Sequence, residues 1–296
     1  MRKFRKITVI EPANLTDRAL EELREYAEEV VTFDTIPEGD GEKIRRIGDS
    51  DAVIVSWTTV LPADVIKRCG SLEYIGMFCT LYPDKSCSVD LESAAENNVT
   101  VTGVSDYGDD GVGEFVVSEL IRIIHGYDGR QWNELGREIK GMRFGVIGLG
   151  ATGSTIANDL RFFGADVAYY SRTRKPEAER AGIKYMELND LLARSEAVCT
   201  CLNRGAVLLG REQFDAFGDH KILFNTGLSP SFDIEALREW LDRGNVCICD
   251  TEGSLGDTSL AERPDVVCEG VPSGFTEQAR ERLCRKGIDN IKNYLG

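Results

Sequence analysis

Apolar and polar positions along the chain sort into short β-branched runs separated by stretches with helical spacing. Residues 7–10, 31–33, 52–56, 74–77 and 99–102 read as strands. Residues 16–30, with Leu20, Leu23 and Ala27 on one face, read as a helix. Strand and helix alternating at this spacing imply a parallel sheet covered on both faces, which ends near residue 103. A long apolar helix follows at 111–126, carrying Val112, Phe115, Val116, Leu120 and Ile124, and then a polar connector over 128–141. Strands resume at 142–148, 166–170, 197–202, 221–225, 246–250 and 266–268. The last helix, 276–295, is long enough to return to the first unit. The expectation is an α/β protein of two domains with parallel sheets, Rossmann-like and flavodoxin-like.

The junction of the strand at 142–148 with the helix after it reads Gly148-Leu149-Gly150-Ala151-Thr152-Gly153. A glycine triplet alone is a weak motif, but here an apolar strand precedes it and helix formers follow. The first glycine permits the tight turn, the second lets backbone approach a pyrophosphate, and the third lets helix pack on strand. The helix N-terminus then offers free N–H groups and its positive dipole end to the phosphates. Gly148, Gly150, Ala151, Thr152 and Gly153 are therefore expected to hold a nicotinamide dinucleotide.

About twenty residues further on, an NAD-specific fold places an acid on the ribose hydroxyls. Here the chain reads Tyr169-Tyr170-Ser171-Arg172-Thr173-Arg174-Lys175, with no carboxylate. Arginine forks onto phosphate oxygens and is poorly matched to a bare ribose. Ser171, Arg172, Thr173 and Arg174 are thus expected to hold a 2′-phosphate, and NADP(H) is expected over NAD(H).

Charge and cysteine content narrow the partners. The formal net charge is −15, spread along the chain, so nucleic acid would be repelled. The longest apolar stretches are strand-sized, and the apolar run after the basic residues 1–6 is too short for a signal-peptide core. A cytoplasmic protein without membrane spans is expected. The nine cysteines include Cys199/Cys201 and Cys247/Cys249, each pair on one face of a strand. They read as reduced, buried thiols rather than a zinc site, and no metal is expected.

The order of units and several segments make the chain resemble the D-isomer-specific 2-hydroxyacid dehydrogenases over nearly its whole length. The segments are residues 141–153, 190–198, Asn225-Thr226 after a strand, the helix at 234–241, Asp250 at a strand end, and 276–282. The resemblance implies a substrate-type domain over 1–103 completed by 276–296, a cofactor domain inserted at 104–275, and a homodimer formed through the latter. It also implies that Asn225 and Thr226 lie beside the nicotinamide ribose, and Asp250 near the carboxamide.

That family clamps the substrate carboxylate with an arginine and protonates through a histidine oriented by a glutamate. The corresponding positions here are Leu228 and Leu255, and residues 269–275 contain no histidine. The chain has only two histidines, His125 on the apolar helix and His220 before a strand, and both read as structural. The loop after residue 77 reads Phe78-Cys79-Thr80-Leu81-Tyr82-Pro83-Asp84 where the family is glycine-rich, which suggests a more apolar pocket unless Phe78 and Tyr82 simply pack into the core.

Two main functions stay open. One is an NADPH-dependent reductase of a small molecule such as an imine, an enone or a less polar carbonyl, with Tyr82 or Tyr107 as proton donor and Asp106 and Asp110 behind them. The other is a non-catalytic NADP(H)-binding sensor or partner-binding protein. Ordinary 2-keto-acid reduction by another constellation ranks third.

Overall fold

The computed structural model describes the chain except residues 1, 83–86, 128, 130 and 131. Pro83 and Asp84 of the loop above, and residues 128, 130 and 131 of the expected connector, lie outside the described residues. The chain forms two compact units, Met1–Tyr107 with Thr276–Gly296, and Gly108–Phe275.

The first unit is built on strands β1 (Phe4–Val9), β2 (Ala27–Thr32), β3 (Ala52–Val55), β4 (Tyr74–Met77) and β5 (Thr100–Thr102). They pair in the order β2-β1-β3-β4-β5, and every ladder is parallel. Parallel strands buried on both faces need apolar residues at consecutive positions, and all four residues of β3 and of β4 are buried. Alternate residues feed opposite layers. Ala52 and Ile54 join Phe4, Ile7 and Tyr74 on one face, while Val53 and Val55 join Ile47, Ile66 and Met77 on the other.

The expected helix over 16–30 is shorter in the structure, Asp17–Leu23, and residues 27–32 are strand β2. A tight turn ends the helix, with Tyr26 N–H donating to Leu23 O at 3.0 Å. From Ala27 on, pairing with β1 satisfies the backbone, and Glu28 and Glu29 are both exposed on this edge strand. Glu28 and Glu29 suit a helix by propensity, so tertiary pairing overrides the local preference.

The last helix, Glu277–Leu295, belongs to the first unit. It buries Leu283, Cys284, Ile288 and Ile291 against the layer containing Phe4 and Phe78. Thr276 caps it, its Oγ1 accepting from Ala279 N–H at 3.1 Å. Gly287 admits Phe78, whose ring carbon would lie 2.5 Å from a Cβ there. Phe78 is therefore core.

The second unit carries β6 (Arg143–Ile147), β7 (Asp166–Tyr170), β8 (Lys184–Tyr185), β9 (Ala197–Thr200), β10 (Ile222–Asn225), β11 (Val246–Cys249) and β12 (Val266–Cys268). Their order is β12-β11-β10-β9-β6-β7-β8, again parallel throughout. β6 is the first strand in sequence and sits inside the sheet, so the chain leaves toward β7 and later returns to its other side as β9. The long helix Asp109–His125 ends at Gly126 in the left-handed conformation, φ 70°. Among the described residues, no helix is long and apolar enough to cross a membrane.

Replacing Thr276 by alanine removes the cap and is expected to cost about 1 kcal/mol, read as a lower urea midpoint at unchanged slope. An unchanged midpoint would mean that packing alone fixes the start of this helix.

Candidate dinucleotide site

Gly148 follows β6 with φ +96°, and a Cβ there would meet Cys201 O at 2.4 Å. A Cβ on Gly153 would lie 2.1 Å from Gly148 O, so helix Ala151–Phe162 can approach the strand only with glycine at that position. Gly150 differs: nothing lies within 4 Å of where its Cβ would be. It caps the helix without a side-chain bond, which leaves the first-turn N–H groups and the dipole end facing open space. The turn is braced from β7, where Ser171 Oγ accepts from Leu149 N–H at 3.0 Å. Thr152 is engaged differently, donating its hydroxyl proton to Asp109.

A groove of about 410 Å³ opens in front of this turn, at the point where β6 and β9 lead off in opposite directions. Gly148–Gly150 form its floor and Leu202 and Val207 one wall. Ser171, Arg172, Thr173 and Lys175 line its basic end. Arg174 is absent from the lining. Its guanidinium bonds Glu179, with Nε at 3.0 Å from Oε1, and stacks over Tyr185 at 4.9 Å. The bond to Arg174 holds the Glu179 carboxyl below its usual range. The positive charge beside the groove thus comes from Arg172 and Lys175. The wall residues Leu202 and Val207 escaped the sequence reading, because only strand order brings the segment after β9 beside the glycine turn.

The polar residues at the ends of β9 to β11 are tied to one another. Asn225 is fully buried; its Oδ1 accepts from Thr200 Oγ1 at 2.8 Å, and its Nδ2 donates to Ser229 O and Ser254 O. Thr226, next in the chain, is half-buried. Asp250 Oδ2 accepts from Ser273 N–H at 3.0 Å and Ser273 Oγ at 2.8 Å, while its own carbonyl accepts from Val271 N–H. Residues 271–273, within the 269–275 segment in which the resemblance implies a histidine, are thereby strapped to the end of β11. Buried amide and carboxylate groups satisfied this fully stiffen the frame around the site.

The two leucines at the expected catalytic positions differ in environment. Leu255 is fully buried in the core, whereas Leu228 is 61% exposed. His220 stacks on Trp132 and pairs Nε2 with Asn133 Oδ1 at 2.7 Å; His125 stacks on Tyr127. Neither lies in the groove. In the first unit Tyr82 and Tyr107 are half-buried on loops after β4 and β5, and Tyr107 O accepts from Arg282 Nε at 2.8 Å. The cysteine pairs are reduced, with Sγ–Sγ distances of 3.8 Å. The Cys201 contact and burial raise the Cys199 thiol, and burial foremost raises Cys249, so neither is a nucleophile.

Strand order, glycine turn and groove together define a dinucleotide-binding α/β protein, and its residues fit a nicotinamide dinucleotide with its pyrophosphate on the helix N-terminus. Residues 117–268 match the family model of the D-isomer specific 2-hydroxyacid dehydrogenase NAD-binding domain, and the chain belongs to that family. It is 25% identical to a hydroxypyruvate reductase of Blautia hydrogenotrophica over 97% of this chain and 94% of that one. A glyoxylate reductase of Thermococcus kodakarensis is also 25% identical, over 68% and 66%. Among solved structures, a 2-hydroxyacid dehydrogenase from Ketogulonicigenium vulgare Y25 superposes with TM-score 0.82 at 22% identity, covering 99% and 96%. An acyclic imino acid reductase in complex with NADPH and D-Arg superposes with TM-score 0.79 at 23% identity, covering 98% and 97%. The chain is a nicotinamide-dependent oxidoreductase of the D-2-hydroxyacid dehydrogenase type.

Overpacking by one methyl costs about 1–3 kcal/mol. Gly153→Ala is therefore expected to weaken nucleotide binding about fivefold or more in a fluorescence titration, since each 1.4 kcal/mol is a factor of ten. Unchanged affinity would show that the turn does not need the close helix approach.

Proposed function

We propose that the protein is an NADP(H)-preferring reductase whose acceptor is less polar than a small 2-keto acid: an imine, an enone or an apolar carbonyl. The observation that carries the cofactor preference is the basic end of the groove, where Arg172, Thr173 and Lys175 stand and no carboxylate faces the ribose position. Leu228 and Leu255, at the positions of the family's clamp and orienting acid, support the change of acceptor. A buried substrate carboxylate without a cationic partner would be costly.

The bound nicotinamide supplies a hydride. The protein's part is to hold the phosphates on the Gly150 turn, keep the groove walls apolar, and deliver a proton to the acceptor's nitrogen or oxygen. Tyr82 and Tyr107 are the proposed donors. Both sit on loops at the carboxyl end of the first unit's parallel strands, the end at which such sheets take ligands. A cationic imine needs less help from a strong acid than a ketone, which suits a phenol donor. The fold carries imine chemistry with NADPH in the imino acid reductase it resembles.

We also propose a homodimer through the second unit. Helices Asp109–His125 and Ala151–Phe162 flank a depression of about 510 Å³ rimmed by Val117, Phe162 and Phe163. Phe162 is 88% exposed, and exposed aromatics grouped in this way mark contact surfaces.

A charged hydrogen bond is worth about 1.5–3 kcal/mol, so Arg172→Ala with Lys175→Ala should weaken NADPH at least about tenfold more than NADH. Arg174→Ala should do less, its charge being occupied by Glu179. Equal weakening of both nucleotides by the double change would sink the 2′-phosphate assignment. For the assembly, Phe162→Glu is expected to halve the mass measured by light scattering; a mass equal to that of the unaltered protein would place any interface elsewhere.

A further inference from the structure

Tyr169 lies on β7 and is fully buried, its ring in the core layer that holds Phe144, Val167 and Ile183. A phenylalanine ring would fill that space equally, so packing does not ask for the hydroxyl. A buried phenol needs hydrogen-bond partners, and this one finds both in the segment that follows its own strand. It accepts from Lys175 N–H at 2.6 Å and donates to Glu179 Oε1 at 3.1 Å. Burial foremost raises the phenol, so it stays protonated and keeps its proton for Glu179.

The effect falls on Lys175, whose exposed side chain lines the basic end of the groove. Its N–H is taken by the phenol, and its carbonyl accepts from Glu179 N–H at 3.1 Å. Pro176 follows it at the start of the short helix Pro176–Arg180 and restricts Lys175 to extended backbone. At the other end of the loop, Ser171 Oγ holds Leu149 N–H. The cationic segment is thus tied at both ends, to the glycine turn and to the core.

A lysine carries a point charge on a flexible stem, and ordering such a side chain opposes binding. Fixing its backbone on both sides narrows the positions its ammonium can reach before any ligand arrives. Glu179 acts on two neighbours at once. One carboxylate draws the Arg174 guanidinium away from the groove and also holds the phenol that pins Lys175. Adjacent cations are thereby given separate tasks, one structural and one at the groove.

We propose that Tyr169 is a positioning residue that determines cofactor specificity: its hydroxyl fixes Lys175 so that the ammonium meets the 2′-phosphate of NADP(H). Tyr169 itself touches no ligand. The inference deepens the cofactor reading and rests on Arg172 and Lys175 facing that phosphate.

The test measures binding to the full-length protein and needs no acceptor. NADPH and NADH are followed by nucleotide fluorescence, and 2′,5′-ADP and 5′-AMP by calorimetry. Tyr169→Phe keeps the ring packing. It should lower the ratio of NADPH to NADH affinity about threefold or more, and the ratio of 2′,5′-ADP to 5′-AMP affinity by a similar factor. In a Lys175→Ala background the same change should alter either ratio by less than about 1.5-fold, because the group it positions is gone.

Equal weakening of both nucleotides by Tyr169→Phe, or an undiminished effect in the Lys175→Ala background, would mean that the hydroxyl only braces the fold, and overturns the proposal. A preference for the phosphorylated ligands that Tyr169→Phe leaves intact overturns this inference alone. No such preference in the unaltered protein removes the cofactor reading and this inference with it.

Discussion

A parallel sheet cannot be joined by hairpins, so each connection must cross a face, and in an open sheet covered on both faces the right-handed crossings change direction at some strand. That constraint shapes both units. In the second, the reversal falls between β6 and β9, and the loops that part there leave the groove floored by Gly148–Gly150. In the first it falls between β1 and β3, where Glu11 and the 56–59 segment meet. Topology opens the groove in the second unit, and sequence decides what lines it: backbone amides, Arg172 and Lys175.

The same constraint explains what could be read from sequence. That the sheets are parallel and covered on both faces follows from alternation of apolar runs with helical spacing, and the glycine turn announces itself because positions 148, 150 and 153 each answer a different demand. Local pattern failed at residues 24–30. Helical periodicity continues through Ala27, but the free edge of β1 offers backbone partners that the isolated segment lacks. Side-chain direction was less legible still. Arg172, Arg174 and Lys175 look equivalent in sequence, yet Glu179, five residues on from Arg174, draws that guanidinium away and leaves the other two at the groove. The burial of Glu11 was invisible for a related reason. A strand-end acid next to Pro12 looks solvated until strand order brings the Ser-Trp-Thr-Thr segment beside it.

Polar groups at the strand ends of the second unit spend their bonding capacity internally. Thr200, Asn225, Ser254, Asp250 and Ser273 join β9, β10, β11 and the 271–273 segment into one network. In a site built to hold a small keto acid, some of that capacity would point outward. Here the outward residue on this side is Leu228, while Leu255 has joined the core beside Leu237 and Leu260. The two leucines therefore do different things: one removes a buried charge that would have no partner, the other offers apolar surface to whatever arrives.

This difference bears on whether the missing polar set reflects decay or redirection. Decay would leave unsatisfied donors and acceptors where the old partners were removed. Among the described residues only Trp132 Nε1 and Arg194 Nη1 are buried without a partner, and neither lies in the network. The bonds around Asp250 and Asn225 are of ordinary length, and Ser273 meets Asp250 with both its N–H and its hydroxyl. A frame satisfied this fully from within, with the glycine turn and its cations kept, holds the strand ends rigid around the dinucleotide groove.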